Sequence, residues 1–152
     1  MAGSGARRLM VSTIIGLALV GAGCGRAPGS LRGELARQTG EAAAAVASAE
    51  LALQLWSSGR LGTPQVRVLL TDMVGEAVAA YSAIAALDAA GIWSDRDVAL
   101  VETAAAGGLL ARARSAIVDG PTVVARLQPG LAFAVDRLNR LSDDPTAPLP
   151  TG

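Results

Sequence analysis

The chain contains no histidine and no lysine, and Cys24 is its single cysteine. A di-iron site of the ferritin-like type needs Glu-x-x-His pairs, so the absence of histidine excludes it. Serine, threonine and tyrosine hydroxyls lack a histidine or lysine base, and the sequence has neither a Gly-rich phosphate loop after a strand nor a G-x-S-x-G elbow. We therefore predict a non-enzymatic protein that has no cofactor and no metal site.

Charge of either sign is also scarce, because only 17% of the residues are charged. The 13 basic residues, all of them arginine, balance 13 acidic residues, and aromatic residues make up 3% of the chain. A nucleic-acid-binding domain needs a clustered basic surface. The balanced charge excludes such a footprint, and the single cysteine excludes a disulfide framework.

The N-terminal region carries the most specific pattern in the sequence. Arg7 and Arg8 precede an uncharged, mainly apolar run at residues 9–20. A basic start followed by an apolar segment of about 7–15 residues is typical of a secretory signal. A membrane-spanning helix needs about 20 apolar residues, which is longer than this run. We therefore predict a signal helix within residues 1–23.

The residues that follow the run, Gly21-Ala22-Gly23-Cys24, resemble the lipobox of bacterial lipoproteins. The family pattern is an aliphatic residue, a small residue, Gly or Ala, and then Cys; Gly21 departs from the usual leucine. The resemblance implies that Cys24 becomes the mature N-terminus and carries a thioether-linked diacylglycerol with fatty acids such as palmitate. It also implies an anchor on the extracytoplasmic face of the cell membrane or outer membrane. The alternative is a plain secretory signal in which Cys24 is an ordinary small residue.

The rest of the chain is predicted to be an all-α domain at residues 31–141, joined to Cys24 by a Pro- and Gly-containing tether at residues 24–30 and followed by a disordered tail at residues 142–152. Apolar residues recur with helical period in three long segments and one short segment, at 31–58, 64–90, 95–118 and 131–141. Residues 122–128 add one or two helical turns. Short connections require the three long helices to run up, down and up, and the short C-terminal helix then closes the bundle.

Helix ends are predicted from local sequence signals. Ser30 and Ser94 are candidate N-caps, since a serine side chain can accept a backbone hydrogen bond at a helix start. Thr63 and Pro64 indicate an N-cap followed by proline at the first helical position. Gly91 is the expected C-cap of the second long helix. Pro129-Gly130 is expected to break the chain before the fourth helix.

Two core faces and one interruption are predicted from the spacing of apolar residues. The predicted stripes are Leu35, Ala42, Val46, Ala49, Leu53 and Trp56 in the first helix, and Val98, Val101, Ala105, Leu109, Ala113 and Ala116 in the third. Two adjacent glycines, Gly107 and Gly108, interrupt the third helix, and each costs about 1 kcal/mol of helix propensity relative to alanine. We therefore expect a kink or a close helix crossing there.

Two charged groups are candidate sites. Asp72 and Glu76 share a helix face, where a carboxylate pair can bind a cation or transfer a proton; the alternative, which we favour, is a solvated helix face. Arg112, Arg114 and Arg126 are candidates for an anion-binding patch, and surface solubilisation is the favoured alternative. Neither group predicts a defined site.

Two functions fit these observations. The apolar helix faces are wide, because Leu51, Leu55, Leu69 and Val74 fall outside the main stripes, and this predicts a bundle that docks a protein partner in the cell envelope. Alanine-lined helices that leave a cavity would instead predict a carrier or sensor of an apolar small molecule or lipid. Trp56 and Trp93 are expected to pack in the core, and the alternative for Trp93 is the membrane interface.

Overall fold

A computed structural model describes residues 30–88 and 90–146. The helices are α1 (Leu31–Ser57), α2 (Thr63–Ala86), α3 (Trp93–Ala116), a short α4 (Pro121–Ala125) and α5 (Gln128–Asp143), with a 3₁₀ turn, Ile117–Asp119, before α4. These ranges contain no strand, so the all-α prediction is confirmed. The predicted signal helix, Cys24 and most of the tether and of the tail lie outside the described residues.

The four longer helices enclose a common core. α1 packs against α2 and α5, and α3 packs against α2 and α5 on the other side. The start of α5 meets α3, where a Cβ atom added at Gly130 would lie 3.5 Å from Leu109 Cδ2. Its end meets α1, where a Cβ atom added at Gly40 would lie 3.0 Å from Ser142 Oγ. The C-terminal helix therefore closes the bundle, as its amphipathic spacing indicates.

α1 begins and packs as its sequence predicts. Ser30 Oγ accepts a hydrogen bond from the Gly33 backbone N–H at 3.0 Å, so the N-cap prediction is confirmed. The predicted stripe is buried from Leu35 to Leu53, and Trp56 is half-buried at the far end. The helix ends one residue before the predicted boundary, and Gly59 follows with φ of 73°. Local capping and helical period thus account for this element.

The junction between α2 and α3 differs from the prediction. α2 ends at Ala86, four residues early, so Gly91 is not its C-cap, although its φ of 82° suits the turn. α3 begins at Trp93 with Ile92 in the N-cap position, so Ser94 lies inside the first turn and is not the cap. Thr63 also lies inside its helix, because Gly62 is the N-cap of α2.

A contact between the two helices explains where α2 ends. Arg96 of α3 donates hydrogen bonds from Nε to the Ile84 carbonyl at 3.2 Å and from Nη2 to the Ala85 carbonyl at 2.7 Å. The last carbonyls of a helix have no partner within it, and a guanidinium group with several donors can satisfy them. Buried Ile92 packs with Ile84 beside this contact. The arginine therefore takes the capping role that the sequence pattern assigns to Gly91.

We expect Arg96→Ala to lower the free energy of unfolding by about 1–3 kcal/mol, because two backbone carbonyls lose charged donors. Urea unfolding followed by circular dichroism measures the change. Arg112→Ala is the matched control, since Arg112 is exposed on the same helix. Equal losses in the two variants would contradict a capping role for Arg96.

α3 presents a different face to the core from the one predicted. Its buried residues are Ala99, Thr103, Ala106, Leu110, Ala113 and Ala116. Val98 and Val101, which were predicted to be buried, are 38% and 65% exposed. Ala105, which was also predicted to be buried, is exposed. The prediction of the stripe was therefore wrong from Val98 to Ala105, where the face that begins at Ala99 packs against the core instead. A Cβ atom added at Gly107 would lie 3.9 Å from Ala77 Cβ, so α2 and α3 approach closely at that position.

Glycine and proline do not interrupt the helices where a break is predicted. α3 continues as one helix through Gly107 and Gly108, and a Cβ atom added at Gly107 would make only an ordinary contact with Ala77 of α2. Pro129 and Gly130 lie in the first turn of α5, which begins at Gln128. Proline is tolerated there because the first backbone N–H groups of a helix have no partner within it. α5 ends at Asp143, slightly beyond its predicted boundary.

Candidate functional site

The predicted lipidation site, Cys24, lies outside the described residues and stays a prediction. Its position in the sequence is still informative, because it lies six residues before Ser30, the N-cap of α1. At most about 3.3–3.6 Å per residue, this segment reaches roughly 20 Å. A lipid on Cys24 would therefore keep the start of α1 close to a membrane surface.

α2 carries several exposed apolar side chains. By length and composition α2 could cross a membrane, with a mean hydropathy of 1.4, yet only 22% of its apolar window is buried. Four large side chains on this helix are exposed, namely Val68 (61%), Leu69 (39%), Val78 (57%) and Tyr81 (41%). We call these four residues the α2 face. At about 100° per residue these four side chains are spread around the helix, with Leu69 and Tyr81 on opposite sides of its buried stripe. Each exposed apolar side chain is a candidate for contact with a partner.

A polar contact ties α3 to α5 beside exposed apolar residues. Arg137 forms an ion pair with Glu102, and the two side chains are only 20% and 14% exposed. The guanidinium carbon of Arg137 lies 5.3 Å from the centroid of the Phe133 ring, within cation–π range. The sequence pattern places Arg137 off the apolar face of its helix, so this contact was missed. Removal of either charge would leave its partner half-buried without its ion pair, which marks the contact as structural.

A cleft of about 300 Å³ lies between α2 and α3, lined by Arg67, Thr71, Arg114, Ser115 and Val118. Of the predicted anion patch, only Arg114 is among these residues; Arg112 and Arg126 are not. The Thr71 and Ser115 hydroxyls donate to backbone carbonyls of their own helices at 2.8 and 3.0 Å.

The guanidinium groups are thus the donors left in the cleft for an anion. Both arginines are exposed, and an ion pair in open solvent contributes only about 0–1 kcal/mol. The cleft therefore offers weak electrostatic attraction and no enclosed binding site.

The two carboxylates singled out in the sequence, Asp72 and Glu76, are both exposed on α2. The part of the chain that the structure describes contains no cluster of three or more metal-ligating side chains. On α1, hydrogen bonds from Arg37 and Gln38 lower the pKa of Glu34 to about 2. Arg37 is exposed, Glu34 is half-buried and Gln38 is buried, so this group lies at the edge between the solvent side of α1 and the core.

The two tryptophans have different environments. Trp56 is half-buried against the main core, and its Nε1 donates a hydrogen bond to Thr63 Oγ1 at 3.1 Å, so the prediction of core packing is confirmed. Trp93 is 62% exposed, so that prediction was wrong for this residue. The reason is that Ile92, its neighbour in the chain, occupies the buried position at the start of α3.

Comparison of the chain with protein-family models, curated proteins and solved structures finds no match. Function is therefore inferred from the surface, charge and N-terminal motif of the chain itself. Among the described residues, core packing does not account for the exposed apolar side chains, which include the α2 face, Trp93, Val101 and Val118.

Proposed function

We propose that the chain is an extracytoplasmic lipoprotein whose helical bundle docks a protein partner of the cell envelope through the α2 face, without enzymatic activity. The observation that carries the proposal is the exposure of Val78, Val68 and Tyr81 on the most apolar of the long helices. The lipobox-like segment ending at Cys24 supports the location, on either the cell membrane or the outer membrane.

The anchor follows from the chemistry of the lipid. Each buried methylene contributes about 0.8 kcal/mol, so one acyl chain binds marginally while two hold a protein stably on a bilayer. A diacylglycerol on Cys24 supplies two chains. The attached bundle then stays at the membrane surface, and a partner in the same envelope layer meets it at a high local concentration.

An up-down-up course of α1, α2 and α3, with α5 returning beside α1, is part of this proposal. The contact of Trp56 with Thr63 supports a tight turn at one end of the bundle. At the other end, the Arg32 Nε atom lies 3.5 Å from Asp95 Oδ2, which joins the starts of α1 and α3. In this arrangement the α2 face lies along the side of the bundle, where a partner can reach it.

The composition around the α2 face favours a protein partner. The exposed charges of Arg67, Asp72 and Glu76 lie among these apolar side chains on the same helix. A non-obligate protein–protein interface is likewise a mixture of apolar and polar surface. A partner that presents a complementary apolar surface can bury these side chains.

The alternative, a carrier of an apolar small molecule or lipid, requires space between the helices. The core alanines Ala42, Ala45, Ala49, Ala106 and Ala113 are fully buried. A Cβ atom added at Gly107 would already contact Ala77 Cβ at 3.9 Å, so α2 and α3 leave little space between them there. This contact favours docking on the outside over binding on the inside.

Site-specific crosslinking in cells tests the proposal. A photoreactive amino acid at Val78 is expected to give a discrete adduct with one envelope protein, and Val78→Asp is expected to abolish co-purification of that protein. The same photoreactive residue at Leu51, which is 56% exposed on α1, is the control. Equal crosslinking from Val78 and Leu51 would contradict docking through the α2 face. A lipid bound in addition to the anchor, detected by native mass spectrometry, would support the carrier function instead.

A further inference from the structure

Trp93 lies at the end of the bundle where the chain enters α1. The ion pair between Arg32 and Asp95 joins the first turns of α1 and α3, and Trp93 is the first residue of α3. Leu31, the first residue of α1, is 38% exposed, and Trp93 is 62% exposed. We call Leu31 and Trp93 the basal patch. Both residues of this patch are therefore apolar and accessible at a single end.

The core beneath the basal patch is complete without these two side chains. Leu35, Ile84, Ile92 and Ala99 form a buried cluster at this end, with Leu87 and Leu100 packed against it. Trp93 is not a member of this cluster, and 62% of the residue is exposed. An aromatic ring of this size in open solvent has a large apolar area that another surface can cover.

The tether indicates which surface covers this patch. Cys24 is six residues before Ser30, a reach of roughly 20 Å at full extension. Tryptophan is enriched at the level of lipid headgroups, because its ring is apolar and its N–H can meet water. Charged neighbours limit the depth, since Asp97 is exposed about one turn from Trp93 and burying a carboxylate in hydrocarbon is costly.

We propose that Trp93 inserts into the interfacial region of the bilayer that holds the lipid anchor, so that the bundle stands on the membrane through the basal patch. This inference rests on the proposed lipid anchor and adds an orientation to it. The lipid anchor and Trp93 then act together. The lipid raises the local concentration of the basal patch at the membrane surface, and the indole of Trp93 restricts the tilt of the bundle.

Quenching of tryptophan fluorescence tests the orientation. Lipidated full-length protein is reconstituted in phosphatidylcholine vesicles whose acyl chains carry bromine atoms close to the headgroup. The chain has two tryptophans, so Trp56→Phe leaves Trp93 as the reporter, and Trp93→Phe leaves Trp56. α1 separates Trp56 from the tether by roughly 40 Å at 1.5 Å per residue. We expect Trp93 to lose most of its emission and Trp56 to keep its emission.

The outcomes separate the anchor from the orientation. Protein that does not float with the vesicles overturns the lipid anchor. Protein that floats while Trp93 is quenched no more than Trp56 overturns the insertion of Trp93 and leaves the anchor standing. Should Trp56→Phe fail to fold by circular dichroism, the difference in quenching between the wild type and Trp93→Phe reports on Trp93 alone.

Discussion

Cys24→Ala is expected to abolish the incorporation of labelled palmitate and to move the protein out of the stably membrane-bound fraction. The variant has no thiol, because Cys24 is the single cysteine. If the variant kept its signal segment, that segment would anchor it poorly. The apolar run at residues 9–20 is shorter than the roughly 20 apolar residues that a membrane-spanning helix needs. Metabolic labelling and membrane fractionation with alkaline washing measure the two effects.

The matched variant for this experiment is Ser30→Ala, which leaves the lipobox-like segment intact and removes only the N-cap of α1. It is expected to take up as much label as the wild type. A wild-type chain that takes up no label and partitions like Cys24→Ala would show that Cys24 is an ordinary residue of a secretory signal.

Leu53→Ala is expected to destabilise the bundle by about 2–5 kcal/mol, the range for truncating a buried leucine to alanine. Leu53 is fully buried in the main core. The neighbouring core positions are largely alanine, and each buried alanine contributes less than the roughly 1.5–3 kcal/mol of a large apolar side chain. A typical domain is stable by only about 5–15 kcal/mol, so this single change removes a large fraction of the total.

Leu51→Ala is the matched control, because it removes the same atoms from the same helix at a position that is 56% exposed. A substitution at such a surface position is expected to change the free energy of unfolding by no more than about 0.5 kcal/mol. Thermal and urea unfolding give both values. If the two variants were equally stable, the main core could not be organised around Leu53 as the structure indicates.

Local signals predict the fold where they act alone. Serine before α1, helical spacing within α1 and proline near the start of α2 all act within one or two turns. The face of α3 was predicted wrongly because two sets of residues have helical spacing, one beginning at Val98 and one at Ala99. Sequence spacing favours the bulkier set, whereas the packing of α3 buries the set that begins at Ala99.

The candidate sites also fall into two groups, those that the sequence alone shows and those that form only when separate helices meet. The lipobox-like motif can be recognised because its residues are contiguous in the sequence. The pairing of Glu102 with Arg137, the capping of α2 by Arg96 and the exposure of Trp93 depend on how separate helices meet. No short-range pattern encodes these contacts, so reading the chain in order assigns neither the capping arginine nor the exposed tryptophan.

The hydrogen bonds from Arg96 to the end of α2 also bear on how the bundle assembles. Until α3 docks, the Ile84 and Ala85 carbonyls have no charged donor, and the last turn of α2 should fray. Docking completes both helices at once, which couples α2 and α3 into a single cooperative unit. Hydrogen exchange should then show amides near Ala86 and amides in the first turn of α3 opening with the same free energy. A nascent chain would consequently complete α2 only after the residues up to Arg96 and the first turns of α3 have emerged.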